Sequence, residues 1–316
     1  MIVFRRMAAA AGKHVIWESE TLVAYLHPRP WTPGATVLTQ KAAGGPGSLF
    51  HLAEGEFLGL MMAARVVGSL LCERLGVRRC AVLHRPAWPN HGPPRLRLLP
   101  LYGLQADWQP HLAPQEEFVV HDPGYCTSKS GPRWDSVRLE ALRDRIRAKL
   151  PEPGAAPSYA FHGEDPEHPG LFSRIVRGEE QQWRVWEDRS HVAFLTPFPN
   201  TPGLTVLVPR RPLTSDVLRL EELDYRSLVL ASRRVAQLLE KALGSWAVAL
   251  IFEGFEIDYA HAKLIPLTKA EGEGSGCLAC PSAEFHSEYP GYVTSVDGPP
   301  ASLETLKEMQ AKITLV

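Results

Sequence analysis

The sequence predicts an α+β fold built twice within one chain of 316 residues, and three observations predict it. Residues 17–41, WESETLVAYLHPRPWTPGATVLTQK, return without a gap as residues 186–210, WEDRSHVAFLTPFPNTPGLTVLVPR. A long apolar-striped helix pattern follows each copy at the same place. A Pro/Gly-rich stretch, Pro151-Glu152-Pro153-Gly154-Ala155-Ala156-Pro157, then separates the two, as a linker does. Repeated sequence at a fixed spacing means repeated structure.

Within each copy the first unit is a hairpin. Leu22, Ala24 and Leu26 alternate, Thr32-Pro33-Gly34 turns, and Thr36-Val37-Leu38 returns. A spacing of 169 carries Trp17 onto Trp186, Leu26 onto Leu195, and Thr32-Pro33-Gly34 onto Thr201-Pro202-Gly203. Next, Leu52 to Leu75 places Phe57, Leu60, Met61, Ala64, Val67 and Leu71 at helical spacing and stops at Gly76. Leu220 to Leu243 does the same with Leu228, Ala231, Val235 and Leu239, and stops at Gly244.

Two strands complete each sheet. They are Ala81-Val82-Leu83 and Arg95 to Pro100 in the first copy, and Ala247 to Phe252 and the run through Pro266 in the second. Pro100 matches Pro266 at a spacing of 166, so three residues are lost in the intervening loops. Beyond them, Phe118 and Pro123-Gly124-Tyr125 match Phe285 and Pro290-Gly291-Tyr292 at 167, and a charged helix closes each copy (Ser136 to Leu150, Ser302 to Ile313). The expected organisation is residues 1–150, a linker over 151–165, and residues 166–316.

Composition narrows the partners. With 45% hydrophobic and 22% charged residues the chain can fill real cores. A net charge of −1 offers no general basic field, so neither nucleic acid nor a membrane is expected as a partner, and any anion must be met locally. The five cysteines (Cys72, Cys80, Cys126, Cys277, Cys280) are odd in number and sparse, as in a reducing compartment. Met1 to Ala11 is basic and briefly apolar without a secretory core, and no run is read as membrane-spanning. A cytoplasmic location is expected.

The chemistry concentrates in Asp258-Tyr259-Ala260-His261-Ala262-Lys263-Leu264-Ile265-Pro266. Strand alternation places Tyr259, His261 and Lys263 on one face. A nucleophilic imidazole between a phenol and an ammonium suits attack on a phosphorus whose oxygens the cation neutralises. The plainer alternative is a strand with a solvent-facing histidine.

The second copy resembles the histidine-triad (HIT) family of nucleotide hydrolases and transferases. The resemblance begins at Leu171-Phe172-Ser173-Arg174-Ile175-Val176-Arg177-Gly178-Glu179. It continues through Val185-Trp186-Glu187-Asp188, Thr201-Pro202-Gly203 and Val206-Leu207-Val208-Pro209, and ends on the strand of His261 and Lys263. It is similar to bacterial members whose strand reads His-Ala-His-x-Lys-Leu; Tyr259 departs from that version. The resemblance implies two HIT-like domains, each an antiparallel sheet of about five strands with a packed helix, joined as an intramolecular pseudo-dimer.

By the same resemblance, His261 would form a covalent nucleotidyl intermediate. Lys263 would meet the phosphate oxygens, Tyr259 would donate its hydroxyl to them, and Thr196 would fall at the ribose position. Arg210 and Arg211 follow the hairpin and are candidates for phosphate contact. Dinucleoside polyphosphates or nucleoside phosphoramidates are the implied substrates, with no cofactor and no metal. In the first copy Arg95 and Arg97 stand where His261 and Lys263 do, and a guanidinium cannot serve as the nucleophile. The rival expectation is a non-catalytic nucleotide-binding or scaffold protein.

Two further segments are read as inert. Cys277 and Cys280 have zinc-knuckle spacing, but a structural site needs four ligands and His286 is the only nearby candidate for a third. The proline-rich stretch from His84 to Pro94 is expected to be a loop whose histidines, His84 and His91, face solvent.

Overall fold

A computed structural model of the protein describes residues 13–88, 91–269 and 282–315. The N-terminal stretch and Cys277 and Cys280 lie outside the described residues. Ten strands form one antiparallel sheet. In chain order they are β1 (Val15–Glu18), β2 (Leu22–Leu26), β3 (Thr36–Gln40), β4 (Arg79–His84), β5 (Arg95–Leu101), β6 (Trp183–Glu187), β7 (His191–Leu195), β8 (Thr205–Pro209), β9 (Ala247–Phe252) and β10 (Ala262–Leu267). Their order across the sheet is β1-β2-β3-β5-β4-β9-β10-β8-β7-β6, with the copies joined where β4 pairs β9.

The register repeats with the sequence. Thr36 faces Leu98 in the first copy and Thr205 faces Leu264 in the second, so the two spacings read from the chain meet in one pairing. Cys80 faces Pro100 as Val248 faces Pro266. Each hairpin turn relies on a glycine with positive φ, Gly34 (75°) and Gly203 (87°), a backbone region that side chains disfavour.

Two long helices, α1 (Glu54–Leu75) and α4 (Glu222–Leu243), cover one face of the sheet, with a smaller helix in each copy, α2 (Ser136–Arg147) and α5 (Leu303–Thr314). The second copy opens on a further short helix, α3 (Leu171–Arg177). By length and composition α1 is apolar enough to cross a membrane, which corrects the reading that no run is long enough. It earns that apolarity as a core helix: Phe57, Leu60, Met61, Ala64, Val67 and Leu71 are fully buried on it.

The charged helices exchange partners. From the first copy, α2 packs on β6 and α4 of the second; from the second, α5 packs on α1 and β1 of the first. Arg145 of α2 donates its Nε to the Ala242 carbonyl at 3.0 Å, capping the end of α4 across the boundary. A cut at residues 151–165 would therefore part each of these helices from the elements it packs on.

The segments leading to α2 and α5 cross on the opposite face of the sheet, where they meet symmetrically. Cys126 N donates to Ser295 Oγ and Val293 N to Ser128 Oγ, both at 2.9 Å. Gly131 N donates to the Phe198 carbonyl and Gly298 N to that of Arg29, each at 3.0 Å. A Cβ on Gly131 would collide with the Pro199 carbonyl, so the tail and the opposite hairpin turn touch backbone to backbone. Gly131→Ala is expected to lift the crossing tail and cost about 1–3 kcal/mol, as overpacking does. A lowered denaturation midpoint with faster proteolysis of the 118–135 segment would report it.

His84 corrects an expectation. It is not a loop residue facing solvent but the last residue of β4, fully buried. Its Nδ1–H donates to the Arg95 carbonyl at 2.9 Å, and its Nε2 accepts from Leu49 N at 3.2 Å. Both nitrogens are thus spent on the neutral ring, and burial pushes its pKa down from 6.5 to about 4. A group whose folded pKa lies below its unfolded one contributes its stability above the unfolded value. That contribution is lost as pH falls from 6.5 towards 4. At 1.36 kcal/mol per unit, roughly 3 kcal/mol is at stake. The gap in unfolding free energy between pH 7 and pH 4.5 should narrow in His84→Gln.

Candidate active site

The site is built where β10 begins. Before it, Tyr259 N bonds the Ile257 carbonyl (2.8 Å) and Ala260 N the Leu213 carbonyl (2.9 Å), which steers the chain into the sheet. From Ala262 the strand pairs with β8 on one side and β9 on the other. Alternation then sends Ala262 and Leu264 into the helix-side core, while Tyr259 and Ile265 join the hydrophobic cluster on the face of the crossing tails. The ring of Phe172, from α3, stands edge-on to both Tyr259 (5.7 Å between centroids) and His261 (5.4 Å). Tyr259 and His261 precede β10, so they lie outside the strand that the spacing predicts for them, yet Phe172 meets both rings.

His261 is 4% exposed. Its Nδ1 lies 2.7 Å from the Tyr259 carbonyl, and because that oxygen can only accept, the ring proton belongs on Nδ1. No described residue hydrogen-bonds Nε2, so its lone pair is left for an outside partner. Burial pushes the His261 pKa below that of a free histidine, and the Lys263 charge acts in the same sense. The imidazole is therefore neutral and nucleophilic at neutral pH.

Lys263 is fixed from two directions. Its ammonium donates to the Ser128 carbonyl at 2.9 Å, on the tail of the first copy, and to Glu256 Oε2 at 2.8 Å. Burial opposes the charge, but the Glu256 and Glu253 carboxylates outweigh burial and hold the Lys263 pKa above its usual value. In return the Lys263 ammonium holds Glu256 below the ordinary carboxylate range. Burial raises Glu253, which accepts a hydrogen bond from the Tyr289 hydroxyl.

The other expected site residues are engaged elsewhere. Tyr259 is buried and donates its hydroxyl to the Pro209 carbonyl at 3.0 Å, so that donor is committed to the fold and not turned to a phosphate. Arg210 is 2% exposed and holds the linker, donating to the carbonyls of Asp188, Ser158 and Ala160 and to Glu187. Arg211 forms a bidentate pair with Asp224 of α4 at 2.7–2.8 Å. The Arg210 guanidinium is not free for a phosphate, which corrects that expectation for it; Arg211, half exposed, uses only Nη2 on Asp224. Thr196 accepts from Phe198 N at 3.1 Å in a turn after β7, half-buried.

Among the described residues no group of three or more His, Cys, Asp or Glu side chains is placed to hold a metal ion. Comparison with known proteins follows from this geometry. No family model matches the chain. An uncharacterized HIT-like protein of Saccharolobus solfataricus is 28% identical over 144 residues, covering 44% of this chain and 99% of that protein. The chain is thus similar to a HIT-like protein over 144 residues, less than half of its own length.

Among solved structures, the chain is similar to a Hit-like protein from Bartonella henselae (19% identity, 49% of this chain and 98% of that one, TM-score 0.30). It is also similar to an ADP-glucose phosphorylase from Arabidopsis thaliana (11% identity, 94% and 82%, TM-score 0.46).

Sequence reasoning missed three parts of this site: Ser128, Glu256 and Phe172 as the cover of the imidazole. Glu253 was not singled out either. The duplication held a signal for it, because the site pair Glu253–Tyr289 stands where the first copy has Arg85–Asp122, a bidentate ion pair at 2.8 Å. Ser128 carried none, since it lies 135 residues from Lys263.

Proposed function

We propose that the second half is a nucleotide phosphate hydrolase or nucleotidyltransferase working through His261. The single observation that carries this reading is the divided use of its ring: Nδ1–H is held by the Tyr259 carbonyl, and Nε2 has no partner among the described residues. Nε2 attacks the α-phosphorus of a nucleoside phosphate, forming a P–N bond as the P–O bond to the leaving phosphate breaks. The phosphate departs as an anion; with a phosphoramidate the bond that breaks is P–N, and the amine leaves with a proton taken from water. Water or another acceptor then attacks the same phosphorus, the P–N bond breaks, and its electron pair returns to Nε2.

Lys263 supplies the positive charge at the site, tempered by Glu256. Dinucleoside polyphosphates or nucleoside phosphoramidates are the proposed substrates, with Thr196 near the ribose, and the chain acts as a cytoplasmic monomer whose halves pair internally. The rival reading, a non-catalytic nucleotide-binding or scaffold protein, draws on the committed Tyr259 hydroxyl and on the carboxylates around Lys263.

Incubation with α-labelled diadenosine polyphosphate, quenched in alkali where a histidine phosphoramidate persists, separates the two. Label that depends on His261 supports the enzyme; saturable binding without label or turnover supports the rival.

A further inference from the structure

The first half carries a site of its own. A cleft of about 450 Å³ opens over β5 of the sheet, within the range of small-molecule sites. Arg95 and Arg97 line it from the strand, Arg29 from the β2–β3 turn, and Asp297 from the crossing tail of the second copy. By register, Arg95 and Arg97 occupy the places that His261 and Lys263 hold in the second half.

Charge in this cleft is unbalanced. Arg85 is matched by Asp122 and Arg97 by Asp297, each pair at 2.8 Å. Arg29 spends only its Nε, on the Gly298 carbonyl at 3.2 Å, so both its Nη groups lack an acceptor among the described residues. The Arg95 side chain is exposed and has no acceptor among the described residues at all. Two guanidiniums without counter-charge thus share one concave wall with a third that is only singly paired. Neighbouring His27 registers the field: burial first, then the Arg97 charge, push its pKa down to about 4.

We infer that this cleft is a non-catalytic binding site for a small molecule carrying a diphosphate group. Guanidiniums are fork-shaped donors matched to phosphoryl oxygens. Arg29 from the β2–β3 turn and Arg95 from β5 bring unmatched guanidinium donors to one cleft from two separate elements, beside Arg97 with its single partner Asp297. Two linked phosphoryl groups offer each fork its own set of oxygens. Because a guanidinium stays protonated, it cannot form a P–N bond, and the ligand is held without turnover. The inference stands apart from the role of His261.

Calorimetric titration of the full chain with inorganic pyrophosphate tests it. Wild type should bind saturably. Arg95→Glu, an exchange at an exposed side chain that no internal bond holds, should remove one equivalent or weaken binding at least tenfold. Arg226→Glu, a charge reversal on the exposed face of α4 away from the cleft, should bind as wild type does, and orthophosphate should bind at least tenfold more weakly than pyrophosphate. Unchanged binding in Arg95→Glu, no binding by wild type at millimolar pyrophosphate, or equal affinity for orthophosphate would overturn the assignment.

Discussion

His261→Ala abolishes the alkali-stable label and lowers turnover of a dinucleoside polyphosphate by roughly 10⁴-fold or more, the scale seen when a covalent nucleophile is removed. That loss is about 5.5 kcal/mol of barrier. Folding should survive the change, because the ring makes a single hydrogen bond, to the Tyr259 carbonyl, and rests edge-on against Phe172. Deleting one such bond and some packing costs about 1–2 kcal/mol. Rate and stability therefore part company in this variant. An unaltered denaturation curve beside full residual turnover would assign the chemistry to another group.

Arg210→Ala does the reverse. Its guanidinium is buried and joins three backbone carbonyls and Glu187, tying the linker at Ser158 and Ala160 to the edge of the second hairpin. Removing it takes the donor from the Asp188 and Ala160 carbonyls and part of the Glu187 counter-charge, while Arg184 still serves Ser158 and Glu187. The expected cost is about 3–5 kcal/mol, as for breaking a buried ion pair from one side. A urea or thermal midpoint lowered to match, with the Michaelis constant unchanged below the transition, would verify the structural role. An intact midpoint with weakened substrate binding would return Arg210 to the active site.

The contrast between these two residues shows how far the chain could be read. His261 was found because the signal is local: Tyr259, His261 and Lys263 fall within five residues, on the approach to β10 and at its second position. Arg210 was misplaced because its partners Ser158 and Ala160 sit in a linker about 50 residues away, and a flexible arginine side chain carries no direction in its sequence. His84 failed similarly. Prolines behind it marked a loop, yet it closes β4 and meets Leu49 from a different part of the chain.

The repeat itself was legible in full. Trp17 with Trp186, the two Thr-Pro-Gly turns and the Pro100–Pro266 spacing already implied matching hairpins, helices and strand registers, since each depends on neighbours a few residues off. Three-dimensional packing alone settled how the copies combine. It paired β4 with β9 in one sheet, sent each closing helix onto the opposite copy, and brought the Ser128 carbonyl to the Lys263 ammonium. Those contacts join residues more than a hundred positions apart, and they are chosen by the burial of whole faces together, for which no short stretch holds the information.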